Sequence, residues 1–115
     1  MSYRVIFTSS FKKSVKYLEK RFPRVKEDVR IAVQVLLQEP KLGVVIPSGG
    51  GIRKLRVRNS DQGRGKSGGY RLLYYVEDQQ QQALYVLLLY AKSDRDEVTR
   101  KELQDLLDAV ESEGV

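Results

Sequence analysis

The 115-residue chain contains no cysteine and no histidine. Without cysteine it has neither a disulfide framework nor a thiol nucleophile. Without histidine as well, zinc and other Cys/His metal sites are excluded, and no metal or other cofactor is expected. A general base must therefore be Lys, Tyr, Asp, Glu or water. Long apolar runs are also lacking. The longest, Ala83 to Ala91, falls well short of the ~20 residues a membrane-spanning helix needs. The N-terminal MSYRVIFTSSFKK lacks the apolar stretch of a signal peptide. These absences predict a soluble, cytoplasmic protein with no membrane partner. The length suits one domain over residues 1–115, with one core.

What is scarce in the middle of the chain is negative charge. Residues 49–71 hold seven basic side chains (Arg53, Lys54, Arg56, Arg58, Arg64, Lys66 and Arg71) and a single acid, Asp61. The C-terminal stretch 72–115 is the reverse, with 4 basic and 10 acidic residues, in a chain whose formal net charge is +6. A cationic segment this dense, with so few counter-charges, is the electrostatic footprint of a polyanion binder.

Within it lies Gly63-Arg64-Gly65-Lys66-Ser67-Gly68-Gly69, which invites comparison with a nucleotide-binding P-loop. That motif needs G-x-x-x-x-G-K-[ST], and Ser60 stands where its first glycine belongs. A P-loop also opens a helix, whereas YRLLYYVED comes next here, aromatic and branched as a strand is. Arg64 and Lys66, spaced by glycines, are instead expected to track a ribose-phosphate backbone, a contact that positions RNA without reading its bases. A plain turn is the alternative use of those glycines.

Along the chain, YRVIFTSS alternates as a first strand does. Ser9 or Ser10 can cap a helix bearing Phe11, Val15, Leu18 and Phe22. Pro23 opens a second helix, with Val25, Val29, Ala32, Val33 and Leu36 on its apolar side, ending by Pro40. PKLGVVIPSGGG reads as a loop. In IRKLRVRN, Leu55 and Val57 share one face while Lys54, Arg56 and Arg58 share the other. YRLLYYVED and ALYVLLLYAK form two further strands around a Gln79–Gln82 tip. Thr99 and Glu102 make a capping box before a last helix. The expected fold is α+β: an antiparallel sheet in the order β-α-α-β-β-β-α, with a helical hairpin packed on one face and the basic triplet on an open face. Tyr70, Tyr74 and Tyr75 could offer stacking surfaces to bases; alternation places Tyr70 and Tyr74 together and Tyr75 opposite, so at least one set is expected in the core. Whether Arg71 and Lys92 share the face of the triplet depends on register.

The segments GGGIRKLRVRN, GRGKSGGYRLLYYVED and LYVLLLYAKSDRDEVTRKEL together resemble the RelE/HigB family of toxins from type II toxin–antitoxin modules, nearest to HigB-type members with a Gly/Lys-rich insert. The resemblance implies a small RelE-like ribonuclease that enters the ribosomal A site and cleaves mRNA without a metal. Its partners would be the ribosome and mRNA, and a cognate antitoxin, commonly a helix-turn-helix DNA-binding protein. It carries catalytic roles to Lys54, Arg56, Arg71 and Lys92. RNA contacts are expected from Arg53, Arg58, Arg64, Lys66 and Tyr70. Ser93 and Thr99 stand where some RelE members have an arginine and a tyrosine, and the histidines of other HigB members are absent. The alternatives are a gyrase inhibitor of the ParE type and a non-catalytic RNA-binding module of the same fold.

Overall fold

The structure, a computed structural model, describes residues 3–62 and 68–113. Five strands and three helices succeed one another as β1 (Arg4–Phe7), α1 (Ser9–Glu19), α2 (Val25–Gln38), β2 (Val44–Val45), β3 (Arg53–Val57), β4 (Tyr70–Glu77), β5 (Ala83–Ala91) and α3 (Arg100–Glu113). Arg64 and Lys66, with the rest of Gly63–Ser67, lie outside the described residues.

The strands form one sheet in the order β1-β5-β4-β3-β2. From β5 to β2 every pair is antiparallel, and β1 adds to the far edge of the sheet, parallel to β5. The parallel pair reflects what precedes the meander: a helical hairpin carries the chain across, as parallel strands require a crossover. The short β2 forms where the sequence pattern predicts loop. It is two residues long and exposed, with Val44 opposite Lys54, too brief to leave an alternating pattern in the sequence.

Local chemistry explains the ends of the helices. Thr8, rather than Ser9 or Ser10, caps α1. Its Oγ1 accepts from Phe11 N at 3.3 Å and donates to Val86 O at 3.1 Å, locking the helix start to β5. The two serines lie inside the first turn. Pro23 precedes α2, which opens at Val25. At α3 the capping box forms as expected, with Thr99 N donating to Glu102 Oε1 at 2.9 Å and Glu102 N to Thr99 Oγ1 at 3.1 Å.

The sheet is buried on both sides. The hairpin's Phe11, Val15, Leu18, Val25, Val29 and Leu36 pack against Leu72, Tyr74, Leu84, Val86 and Leu89. On the other face, α3 brings Leu103 and Leu106 against Leu73, Tyr85 and Leu87. The face expected to be open is therefore partly roofed. An irregularity between Leu73 and Tyr74 leaves Leu87 without a partner across the ladder. Both Leu87 and Leu88 join the cluster on the α3 side, as the extra residue of a bulge allows.

Candidate RNA-binding site on the sheet

Register settles which basic residues stand together. Arg56 on β3 faces Arg71 on β4, which in turn faces Tyr90 on β5. Directly opposed residues of antiparallel strands project to the same side, with Cβ atoms about 5 Å apart. The side is that of α3, because the next row, Lys54 opposite Leu73, contributes Leu73 to the core beneath that helix. Lys92, just past the end of β5, joins this side through Asp96, which pairs with its ammonium and accepts from the Tyr90 hydroxyl; Arg58 is exposed just past the end of β3. Lys54, Arg56, Arg71 and Lys92 thus gather on the α3 side.

Arg71 is the most constrained of them. Its residue is 6% exposed, and Nη1 donates to Gly68 O and, at 3.2 Å, to Tyr70 O. Its hydrogen bonds go to neutral carbonyls, so the cation is held in place without being neutralised. Lys54, Arg56 and Arg58 have no hydrogen bond or ion pair from their side chains among the described residues. Elsewhere the protein pairs its charges readily, as in Arg21–Asp94 at 2.5 Å and Lys41–Asp78 at 3.0 Å. Two opposed arginines without a carboxylate between them repel each other, and an anion placed across both relieves that repulsion.

Lys92 differs from its neighbours. Its ammonium is ion-paired with Asp96, and that contact holds the Asp96 carboxyl below the usual carboxylate range. Tyr90 is 6% exposed but stands in the arginine row. The Arg95 guanidinium lies 5.5 Å from the centre of its ring, and its hydroxyl donates to Asp96 O at 3.4 Å. Burial pushes the phenol's pKa up, and the nearby Arg71 and Arg95 charges pull it partly back. At neutral pH Tyr90 is therefore a hydrogen-bond donor and not a base. Counting back two residues from Lys92 along the strand would have placed Tyr90 on the same face.

Two expected RNA contacts are placed elsewhere. Arg53 stands opposite Tyr74, on the hairpin side, and its Nη1 donates to Gly43 O at 2.7 Å and Lys41 O at 3.2 Å. It holds the loop before β2. Tyr70 is fully buried, edge-on to Phe22 with ring centres 5.8 Å apart. Its ring is core and offers no surface to a base. The Tyr70 hydroxyl is buried without a hydrogen-bond partner among the described residues. Burial, reinforced by the Asp28 and Asp61 charges, raises its pKa.

Both ends of the glycine-rich insert are anchored. Before it, Ser60 N and Oγ donate to Asp28 of α2 at 2.9 and 3.0 Å. After it, Lys92 N donates to Gly69 O at 2.9 Å, closing the chain onto β5. Gly69 takes φ +53°, and a Cβ there would stand 2.5 Å from Val57 O, so only glycine returns the chain into β4 this tightly. The chain enters strand β4 at this point rather than a helix, which removes the helix N-terminus on which a P-loop depends.

The family profile for the RelE toxin of the RelE / RelB toxin–antitoxin system matches residues 4–112. Among solved structures, a doubly substituted mutant of E. coli toxin RelE in the free state is similar to the chain at a TM-score of 0.55 and 18% identity, each chain being covered over 100% of its length. At that identity the likeness is one of fold.

Proposed function

We infer the function from one premise: the chain belongs to the RelE family of toxins from toxin–antitoxin systems. It is thus a toxin with an antitoxin partner, in a family of endoribonucleases. Our reading is that it is a ribosome-dependent mRNA endonuclease that cuts in the A site and stops translation. The observation that carries this reading is the row Arg56–Arg71 with Lys54 beside it, unneutralised on a rigid sheet.

RNA can be cut without a metal when its 2′-OH attacks the adjacent phosphorus, forming a 2′,3′-cyclic phosphate and expelling the 5′ oxygen. Arg56 and Arg71 would hold the two non-bridging oxygens and stabilise the charge that grows on them. Arg71 is already fixed by backbone carbonyls, so little reorganisation is needed when the phosphorane forms. Lys54 is assigned the proton at the 2′ position or at the leaving oxygen, with Lys92 as the second candidate once RNA phosphate has displaced Asp96. Such an acid–base group contributes about 10²–10⁴-fold. Arg58, together with Arg64 and Lys66 of the insert, would track the backbone on either side. Most of the in-line alignment of the RNA is left to the ribosome.

Inducible expression tests the reading and separates it from its relatives. An mRNA endonuclease of this kind arrests growth with broken mRNA and intact DNA, and Arg71→Ala relieves the arrest. Intact mRNA with damaged DNA would point to gyrase and refute the assignment. A cognate antitoxin, which we take to be a helix-turn-helix protein, should reverse the arrest when co-expressed.

A further inference from the structure

The corner between α1 and α2 reaches the end of the sheet that carries Lys92. There Arg21 donates from Nη1 and Nη2 to the two carboxylate oxygens of Asp94, at 3.0 and 2.5 Å. The pair joins residues 73 positions apart in the chain, whereas Arg30–Glu27 and Lys101–Asp105 lie within single helices. It ties the helical hairpin to the turn that follows β5.

We propose that Arg21 is a positioning residue for RNA cleavage, acting through Asp94 on the turn that presents Lys92. The proposal rests on the mRNA-endonuclease reading of the sheet. Three observations carry it. The first is the geometry of the pair. Two guanidinium nitrogens meet two carboxylate oxygens, an arrangement that fixes direction as well as distance. The guanidinium carbon also lies 5.0 Å from the centre of the Phe22 ring and 5.7 Å from that of Tyr17, and those rings hold the cation where it meets Asp94. The second is the place of Asp94. Its amide donates to Ala91 O at 2.9 Å, closing a four-residue turn in which Lys92 and Ser93 are the central pair. The Lys92 amide is tied to Gly69 O at 2.9 Å. The turn is thus held at Lys92 from the entry to β4 and at Asp94 from the hairpin.

The third is what the neighbours of Asp94 touch. Asp96 pairs with the Lys92 ammonium, and its carbonyl accepts from the Tyr90 hydroxyl. The Arg95 guanidinium lies over the Tyr90 ring. Residues on both sides of Asp94 therefore meet the row of Arg56, Arg71 and Tyr90, while Asp94 itself is anchored to the hairpin. An exposed ion pair adds little to stability. Placement gives this one its weight, because a displacement of about 1 Å at a reacting group slows a reaction by as much as roughly 10²-fold.

The test is the single-turnover rate of mRNA cutting on saturating, reconstituted translating ribosomes. Arg21→Gln and Asp94→Asn are measured alone, together, and each in a Lys92→Gln background, with urea unfolding of every variant alongside. Where Arg21→Gln does not fold, Arg21→Lys, which keeps the charge and loses the fork, takes its place. Each single substitution should slow cutting by roughly 5- to 100-fold, and the two together by no more than the slower one alone. In the Lys92→Gln chain, itself slower than the wild type, neither should slow cutting further. A loss confined to Arg21→Gln overturns the proposal, since a direct contact between Arg21 and RNA gives that result. Equal losses with and without Lys92 also overturn it and leave the pair a stabilising contact only. Wild-type speed in Arg21→Gln or in Lys92→Gln does the same. All of these outcomes leave the endonuclease reading intact. A wild type that cuts nothing refutes that reading, and the positioning role with it.

Discussion

Replacing Glu102 by glutamine separates two jobs that one carboxylate performs at the start of α3. Glu102 accepts from Thr99 N in the capping box, and it pairs with Arg95, the residue whose guanidinium lies over the Tyr90 ring. Glutamine keeps the first contact and loses the charge of the second. The Arg95 guanidinium, hydrogen-bonded to it, is the main reason the Glu102 carboxyl falls from its ordinary 4.5 to about 2, with the Thr99 amide helping. Taken at face value, a displacement of that size corresponds to about 3 kcal/mol. The two side chains are 35% and 39% exposed, however, and solvent screening reduces a pair of this kind to about 1 kcal/mol. The folded pKa lies below the unfolded one, so this stability is present in full above about pH 4.5 and is lost as the pH falls toward 2. Urea unfolding at pH 7, 4.5 and 3 measures it. Glu102→Gln should cost about 1 kcal/mol at pH 7, with the gap between variant and wild type narrowing as the medium is acidified. A gap that stays constant from pH 7 to pH 3 would refute the ion-pair account and leave only packing.

Three further outcomes are expected. Tyr70→Phe removes a buried hydroxyl that has no partner among the described residues, so stability in denaturant should hold or rise by up to about 1 kcal/mol; a loss of that size would reveal a hydrogen bond. Gly69→Ala forces a side chain into a left-handed backbone against Val57 O, and the melting temperature should drop by about 5 °C or more; an unchanged value would contradict the tight closure onto β4. Arg56→Ala and Arg53→Ala should behave oppositely in an mRNA-cleavage assay. The first should slow cutting by roughly 10²-fold or more, while the second mainly lowers stability by about 1–3 kcal/mol, because Arg53 serves two loop carbonyls. Equal losses of cutting by both would refute the division of the two faces.

Much of this fold is legible in the sequence because local patterns and final structure agree. The alternation of Leu55 and Val57 with Lys54, Arg56 and Arg58 assigns two faces before any pairing is known, and the same period puts Arg53 with the apolar pair, where the structure has it. Thr99 and Glu102 announce the start of α3 through hydrogen bonds between near neighbours. What the sequence withholds is long-range. The opposition of Arg56, Arg71 and Tyr90 depends on the register of three strands, and the irregularity at Leu73/Tyr74 shifts that register without any glycine or proline in β4 or β5 to mark it. The docking of α3 over the basic face is equally hidden, since an amphipathic helix shows that it has a core side but not which side of a sheet it will cover. Tyr70 illustrates the ambiguity of an aromatic in a strand that is buried on both faces: alternation pairs it with Tyr74, and only the packing of Phe22 against it makes it core.

We propose that the unneutralised Arg56–Arg71 row holds the scissile phosphate of mRNA on the ribosome. The most direct measurement is cleavage of a defined mRNA in a reconstituted translation reaction, with and without ribosomes, by the wild-type chain and Arg71→Ala. We expect cuts that require a translating ribosome and fall at least 10²-fold with the substitution, leaving 2′,3′-cyclic phosphate ends. Wild-type protein that binds ribosomes and leaves the mRNA whole, or an Arg71→Ala variant that cuts as fast as the wild type, would contradict it.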